Sequence, residues 1–466
     1  MRIVCALLSV LAAVTAVPAS GAEDNRSLSD RTRQYLSELV RIDTSNPPGN
    51  ETQVAQYLKQ TVESFGISGE LLGGDPKRLN FVARLRGTGK GRPLLLMAHS
   101  DVVPADKQSW TVNPLSAEVR NGFIYGRGTL DSKSLLAAEM AVMVEIKRRN
   151  LRLGRDLILL SEADEEGGST GIQWLVQNAS PKIDAEFALN EGGSIFDTKD
   201  GTRIFQIQTQ EKLPMRLVLI ARGTAGHGST PRADNPIEHL SEAISRLSKG
   251  EQPIHLNGTT RRYFRGLSRL PDYDWLGPLI PRLDSAATAR DAAAQIRIHD
   301  PDLDVMIHTT AAATVLPGTG NNPNVIPNTA TAQIDVRRLP SESREDVLTR
   351  LRQIVNDNAV EITFAPGSQA PSADPSSPTT TLYRAMERVI ARIYPHDAMV
   401  LPFMSRGATD GNFLRSRGMP VYGVPLVLRE PGESRVHGND ERILTKSLDD
   451  GVELLWQIVL ETTGEN

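Results

Sequence analysis

The sequence predicts an α/β fold: a large domain on a mostly parallel sheet, interrupted by a smaller inserted α+β (ferredoxin-like) domain. Three observations predict it. Short apolar runs alternate with helix-periodic stretches up to residue 209. Near Gln210 the pattern becomes strand, helix, strand, helix. The Pro- and Ser-rich stretch 370–378 then leads back to the first pattern.

Residues 28–40 and 52–65 carry apolar residues at helical spacing. Residues 92–97 (Arg-Pro-Leu-Leu-Leu-Met) form a short apolar run, the signature of a strand buried on both faces. Residues 135–149 read as a helix whose end, Lys147-Arg148-Arg149, suits the negative pole of its dipole. Residues 156–161 and 185–189 read as two further buried strands. In the insert, 215–221 and 330–336 are strand-like and 237–247 and 344–355 helical. Residues 253–310 follow no simple period and are assigned to the insert as an elaboration. A helix over 382–393 and a strand over 419–424 close the chain. The predicted organisation is thus a first domain in two parts, 23–209 and 370–466, with the insert at 210–369.

The N-terminus has its own character. Arg2 precedes an apolar run from Ile3 to Val17, followed by small residues to Ala22. This is the pattern of a cleaved signal peptide over 1–22, and the run is shorter than the ~20 apolar residues of a spanning helix. It predicts a secreted or periplasmic protein with no membrane attachment after cleavage. Cys5, the only cysteine, lies inside this segment, so any metal must be held by His, Asp and Glu. Lys plus Arg number 52 against 56 Asp plus Glu, a net charge of −4 with no basic run, which argues against a nucleic-acid partner.

Four acidic or histidine clusters share one placement: each follows a buried strand or opens a helix. They are His99-Ser100-Asp101, Asp131 before the 135–149 helix, Asp164-Glu165-Glu166-Gly167-Gly168, and Glu191-Gly192-Gly193. Open α/β sheets bind ligands at the carboxyl ends of their strands. Singly, each cluster has an ordinary reading as a surface pair, a turn or a helix cap. Together they converge on one edge, with glycines that let the backbone close around an ion. Imidazole plus carboxylate suits zinc with an open position, whereas calcium favours more oxygens and no imidazole. One carboxylate can bridge two ions ~3.5–4 Å apart, an arrangement suited to hydrolysis. Asp101, two residues after His99 in an extended segment, points to the same side and is placed to hold the second ring nitrogen of His99. Glu165 and Glu166 point in different directions, so one can bind metal while the other takes a proton; spacing does not say which.

These motifs, with Val102-Val103-Pro104, Trp110 and Tyr125-Gly126-Arg127-Gly128 to Asp131-Ser132-Lys133, resemble the di-zinc metallopeptidase family of carboxypeptidase S, glutamate carboxypeptidase, aminoacylase, carnosinase and acetylornithine deacetylase. The likeness runs in order from about Leu36 to Leu460 and is greatest to carboxypeptidase S and the secreted N-acyl-amino-acid hydrolases. The resemblance implies two Zn2+ per subunit, with Co2+ or Mn2+ as substitutes. His99 and Glu191 would hold one ion, Glu166 and His437 the other, and Asp131 would bridge them. Glu165 would be the general base and Asp101 would orient His99. In the insert, His227 would contact the substrate carbonyl, and Asn324 and Arg337 lie in motifs that would face the substrate. Thr409 belongs to the turn Gly407-Ala408-Thr409-Asp410 near the site. Ser132 stands where many relatives carry a second Asp, and Gly226 and Gly228 flank His227 where Ala and Ser are more usual. His239, His255, His299, His308 and His396 match no motif.

The implied activity is zinc-dependent hydrolysis of a peptide or N-acyl amide bond beside a free carboxylate, of the carboxypeptidase, dipeptidase or aminoacylase type. The partner would be a small peptide or N-acyl amino acid, and the insert would serve as lid and homodimer interface. A rival is a narrow deacetylase or desuccinylase of an amino acid. A rival of another class is a non-catalytic binding protein on this fold, whose mark would be loss of a ligand or of Glu165; all are present.

Overall fold

The structure is a computed structural model that describes residues 26–318, 322–367, 370–430, 432 and 434–464; the predicted signal segment lies outside them. In the large sheet, strands lie side by side in the order Gly69–Leu72, Asn80–Leu85, Arg155–Glu162, Gly91–His99, Phe187–Asn190, Val421–Gly423, Arg203–Glu211 and Ala398–Ser405. The pairings from Arg155–Glu162 to Val421–Gly423 are parallel, as is the last one. Antiparallel strands flank this centre: Gly69–Leu72 and Asn80–Leu85 at one end, and Ser194–Asp197 on Arg203–Glu211 near the other.

The centre shows why apolar runs made these strands. Leu94, Leu96 and Ala98 point into one core, while Leu95 and Met97 point into another on the opposite face. A strand that feeds two cores must be apolar at every position. The first core holds the helix Lys133–Arg148, buried at every residue from Lys133 to Ile146. It is packed between the helices Leu28–Arg41 and Thr445–Thr463. Ser27 caps the first of these by accepting the Asp30 N–H at 3.1 Å.

A second sheet of Thr310–Val315, Thr329–Arg338, Leu213–Arg222 and Val360–Phe364 is antiparallel throughout. The helices Pro236–Lys249 and Arg344–Val355 share its core through Leu240, Ala243, Val347 and Leu351. Lys212 joins the two sheets. It is buried and donates to the carbonyls of Val305 and His308, both at 2.9 Å.

Two features depart from the sequence reading. The stretch 253–310, assigned to the insert, contains the helices Gly258–Leu267 and Ala289–His299, which pack Tyr263, Phe264, Leu267 and Ile296 against Ile204, Leu401, Phe403 and Met404 of the large sheet. The two helices are 10 and 11 residues long and separated by a segment with Pro271, Gly277, Pro278 and Pro281, so no single period runs through the stretch. The strand Arg203–Glu211 was not foreseen because Gln206, Gln208 and Gln210 are buried. Gln206 Nε2 donates to Tyr263 and Gln208 Nε2 to Glu211, whereas the buried Gln210 Oε1 accepts no hydrogen bond among the described residues. Among the described residues no helix is long and apolar enough to cross a membrane.

Candidate active site

The sheet brings the predicted cluster together at the carboxyl ends of its strands. His99 ends the strand Gly91–His99 and lies beside Glu162 in parallel register. It is 1% exposed, and its Nε2 lies 2.9 Å from Asp131 Oδ1 and 3.6 Å from Glu191 Oε2. The other oxygen of Asp131 lies 3.1 Å from His437 Nε2, which is itself 3.0 Å from Glu166 Oε1. His99, Asp131 and Glu191 thus form one group able to hold a metal ion, and Asp131, Glu166 and His437 a second. Asp131 belongs to both, with one carboxylate oxygen toward each imidazole.

The expected tie between Asp101 and His99 takes a different form. His99 Nδ1 lies 2.9 Å from the Asp101 backbone carbonyl, and the carboxylate oxygen stands off at 3.5 Å. The carboxylate is occupied elsewhere: it accepts the backbone N–H groups of Glu165 and Glu166, each at 3.1 Å. An extended His-x-Asp segment puts both side chains on one side, but the nearer acceptor is the carbonyl between strand and turn.

Asp131 is aimed by a residue the sequence reading passed over. Glu441 is fully buried, and its Oε1 accepts the N–H groups of Gly128 at 3.1 Å and Leu130 at 2.7 Å, with that of Asp131 at 3.4 Å. Arg127 pairs with its other oxygen. The available signal was its position in Val436-His437-Gly438-Asn439-Asp440-Glu441, beside a predicted ligand. Ser132, where relatives carry Asp, is buried and donates to the His99 carbonyl at 3.3 Å.

The electrostatics fit a cation. Four carboxyls, those of Asp131, Glu165, Glu166 and Glu191, crowd two imidazoles, and among the described residues the ion pairs of this group are with those imidazoles alone. Burial, then the charge of Glu191, holds the Glu165 carboxyl well above the usual carboxylate range. Burial likewise lifts Glu191 to about 8. Burial opposes charge on His99, yet the charge of Glu191 and the neighbouring carboxylates of Asp101 and Asp131 raise it well above its ordinary value. Hydrogen bonds to Asp131 and Glu166 raise His437 to about 10. Burial raises Glu165 and Glu191, hydrogen bonds from the two imidazoles lower Asp131 against desolvation, and the carboxylates raise both imidazoles, so negative charge outweighs positive in this cluster. A set of two His and three carboxylates in two groups sharing one carboxylate is the donor chemistry of paired divalent cations.

The remaining predicted residues sit apart. His227 lies on a short two-stranded arm, Gly226–His227 against Val325–Ile326, and Gly228 N–H donates to the Asn324 carbonyl at 2.7 Å. Among the described residues, no hydrogen bond or ion pair joins His227, Asn324 or Arg337 to the metal-binding cluster. His227 Nδ1 is 2.7 Å from Ser229 Oγ, and Arg337 Nε donates to Asp335 at 2.9 Å. Thr409 is buried, and its hydroxyl donates to Glu211 Oε2 at 2.9 Å within a network that includes Arg415. Of the unmatched histidines, His239 pairs with Asp357, His308 with Asp304, and His299 stacks on Trp275.

Fold and site together define a metal-dependent amide hydrolase. A profile of Peptidase family M20/M25/M40 matches residues 95–461, and the chain belongs to that family. It is 28% identical over 457 residues to the N-fatty-acyl-amino acid synthase/hydrolase PM20D1 of Homo sapiens, covering 95% of this chain and 89% of the relative. It is 29% identical over 395 residues to the probable carboxypeptidase S-like 2 of Dictyostelium discoideum, covering 80% and 72%. In fold it is similar to the M20 family metallo-carboxypeptidase Sso-CP2 of Sulfolobus solfataricus, with a TM-score of 0.68, 21% identity, and coverage of 92% of this chain and 98% of that one. The chain is therefore a metallopeptidase or amidohydrolase.

Proposed function

We propose that this enzyme hydrolyses the amide bond of a small peptide or an N-acyl amino acid next to a free carboxylate, using two Zn2+ ions. The carrying observation is the pair of three-residue groups joined at Asp131, with the Glu165 carboxyl beside them and its backbone pinned by Asp101. His99 and Glu191 would hold one ion and Glu166 and His437 the other, with Asp131 shared between them. When bound, the ions supply Lewis acidity to the scissile carbonyl and to water. Glu165 takes the proton of the attacking water and returns it to the leaving nitrogen.

The substrate class rests on likeness to relatives named for N-fatty-acyl amino acids and for carboxypeptidase activity. Arg337, held by Asp335, is the cation proposed to meet a substrate carboxylate, and Asn324 adjoins the same arm as His227. Thr409 accepts the Asn190 side-chain amide at 3.3 Å and so braces the residue before Glu191. His227, exposed and remote from the cluster, reaches the carbonyl when the small domain closes or when a second subunit presents it. The insert is the proposed dimer interface. The protein is proposed to be exported, with a mature start near Glu23.

A panel of dipeptides and N-acyl amino acids, with and without chelator, tests the reading. Turnover confined to substrates with a free carboxylate, lost on chelation and restored by zinc, is expected. Glu165→Ala should bind zinc and fold yet lose about 10²–10⁴-fold in kcat. Near wild-type turnover by this variant with both ions bound would show that the base is another group.

A further inference from the structure

The turn that carries Glu165 and Glu166 is held from below by residues outside the predicted site. It begins at Asp164, whose φ of +68° lies in the left-handed region. Asp164 Oδ2 accepts the Thr170 N–H at 3.3 Å, and its carbonyl accepts the Gly168 N–H at 3.1 Å, so the turn closes on its own first residue. Asp101 grips the same turn from the His99 side through the N–H groups of Glu165 and Glu166.

Asn46 joins the two grips. Its Nδ2 donates one hydrogen to Asp101 Oδ2 at 2.7 Å and the other to Asp164 Oδ1 at 2.9 Å, and the side chain is buried. Among the described residues it is the one side chain hydrogen-bonded to both carboxylates. It is itself fixed: Asn46 N–H donates to the Val102 carbonyl at 2.8 Å, and Thr44 Oγ1 donates to the Ser100 carbonyl at 2.6 Å. Segment 44–46 therefore runs alongside 100–102. Arg78 Nη1 contacts Asp164 Oδ1 at 2.9 Å, and its guanidinium forks onto fully buried Glu51, which also accepts the Asp164 N–H at 3.3 Å. The cradle is tight. A Cβ on Gly167 would lie 2.3 Å from Asp164 Oδ1 and 2.8 Å from Asn46 Nδ2, so only glycine passes over the amide.

We propose that Asn46, backed by the Arg78–Glu51 pair, is a positioning residue that sets the placement of Glu165 and Glu166 through Asp101 and Asp164. Two buried carboxylates this close need donors between them, and a neutral amide with two hydrogens satisfies both while adding no charge. Asn46 touches neither substrate nor metal; it acts on the turn. The inference rests on the reading of Glu165 as base and Glu166 as ligand.

Asn46→Leu, of similar size and without donors, tests it. Removal of an outer-shell partner of a metal ligand typically costs about 10–100-fold. The expected result is a fall of that order in kcat with KM unchanged. In a chelator competition, one of the two zinc equivalents should be lost at about 10–100-fold lower chelator. Coupling separates positioning from general destabilisation. In a Glu165→Ala background the loss in kcat from Asn46→Leu should largely vanish, whereas in His227→Ala it should multiply in full. Equal losses in both backgrounds with unchanged zinc release overturn the proposal. If Glu165→Ala alone retains turnover, the assignment of the base fails, and the zinc competition still decides whether Asn46 places Glu166. Should Asn46→Leu not fold, Arg78→Lys takes its place, since it keeps the charge but not the fork. Wild-type kcat and zinc release in Arg78→Lys equally overturn the proposal.

Discussion

Glu441 is the residue whose replacement best tests how the bridging carboxylate is aimed. Its Oε1 holds the N–H groups of Gly128 and Leu130 firmly and that of Asp131 weakly, and Oε2 holds Arg127. Glu441→Ala would leave three well-bonded buried donors without acceptors. At about 1–3 kcal/mol each, the loss is about 3–9 kcal/mol, comparable with the ~5–15 kcal/mol stability of a whole domain. Glu441→Gln is the informative variant. Its amide oxygen can keep the backbone N–H groups, but its NH2 would face the Arg127 guanidinium, donor against donor. Breaking one side of a buried pair costs about 3–5 kcal/mol. The urea midpoint should fall accordingly with m unchanged. Loss of the Arg127 contact would unseat the side chain that holds the Asp131 turn, so zinc content should drop in both equivalents, because Asp131 belongs to both groups. Plasma emission spectrometry on dialysed protein measures the zinc. A Gln variant with a wild-type midpoint and both equivalents retained would refute the role of Glu441 in holding Asp131.

Three further outcomes are expected. Asp131→Ala should lose metal from both sites, whereas His437→Ala should lose it from one, and equal stoichiometry in the two variants would contradict the shared position of Asp131. His227→Ala should keep its zinc and lose kcat. Mixing its subunits with Glu165→Ala subunits should restore part of the activity if the histidine acts across a dimer; no recovery in a demonstrated mixed dimer leaves closure of the small domain as its route. The His239–Asp357 pair should stabilise the small domain in a bounded pH window. The hydrogen bond to Asp357 raises the pKa of His239, so its contribution is full below about pH 6.5 and is lost as pH rises through the raised value. Burial opposes ionisation of Asp357 but the hydrogen bond from His239 lowers its pKa, so its contribution is present above about pH 3.8 and is lost as pH falls through the depressed value. Since the His239 side chain is 27% exposed, the pair should be worth under about 1 kcal/mol. The stability difference between wild type and His239→Gln should therefore shrink from pH 5.5 to pH 8.5, and a constant difference would count against it.

The sequence by itself determined the class of fold and the chemistry of the cluster. Runs such as Leu94 to Met97 are apolar at every position because they feed two cores, and the helix 133–148 announces itself by spacing and by its basic end. Acids and a histidine placed just past such strands must meet at one sheet edge, whatever the rest of the chain does. Strand-end placement pointed to His99, Asp131, Glu191 and the Glu165–Glu166 pair; the choice of Glu166 as ligand, and His437 as the fifth, came only with the family resemblance. Only the tertiary structure decided how they are held. Glu441 reaches Asp131 across 310 positions of sequence, and Asn46 reaches Asp164 across 118. No local period encodes either contact. The stretch 253–310 covers the large sheet because the edge strand Ala398–Ser405, with Leu401 and Phe403, requires an apolar cover, a demand visible only once that strand exists. The carbonyl rather than the carboxylate of Asp101 meets His99 because the carboxylate is drawn to two backbone N–H groups of another loop. Residue spacing limits which groups can meet; competition among buried donors and acceptors, settled by the packing of distant segments, selects which of them do.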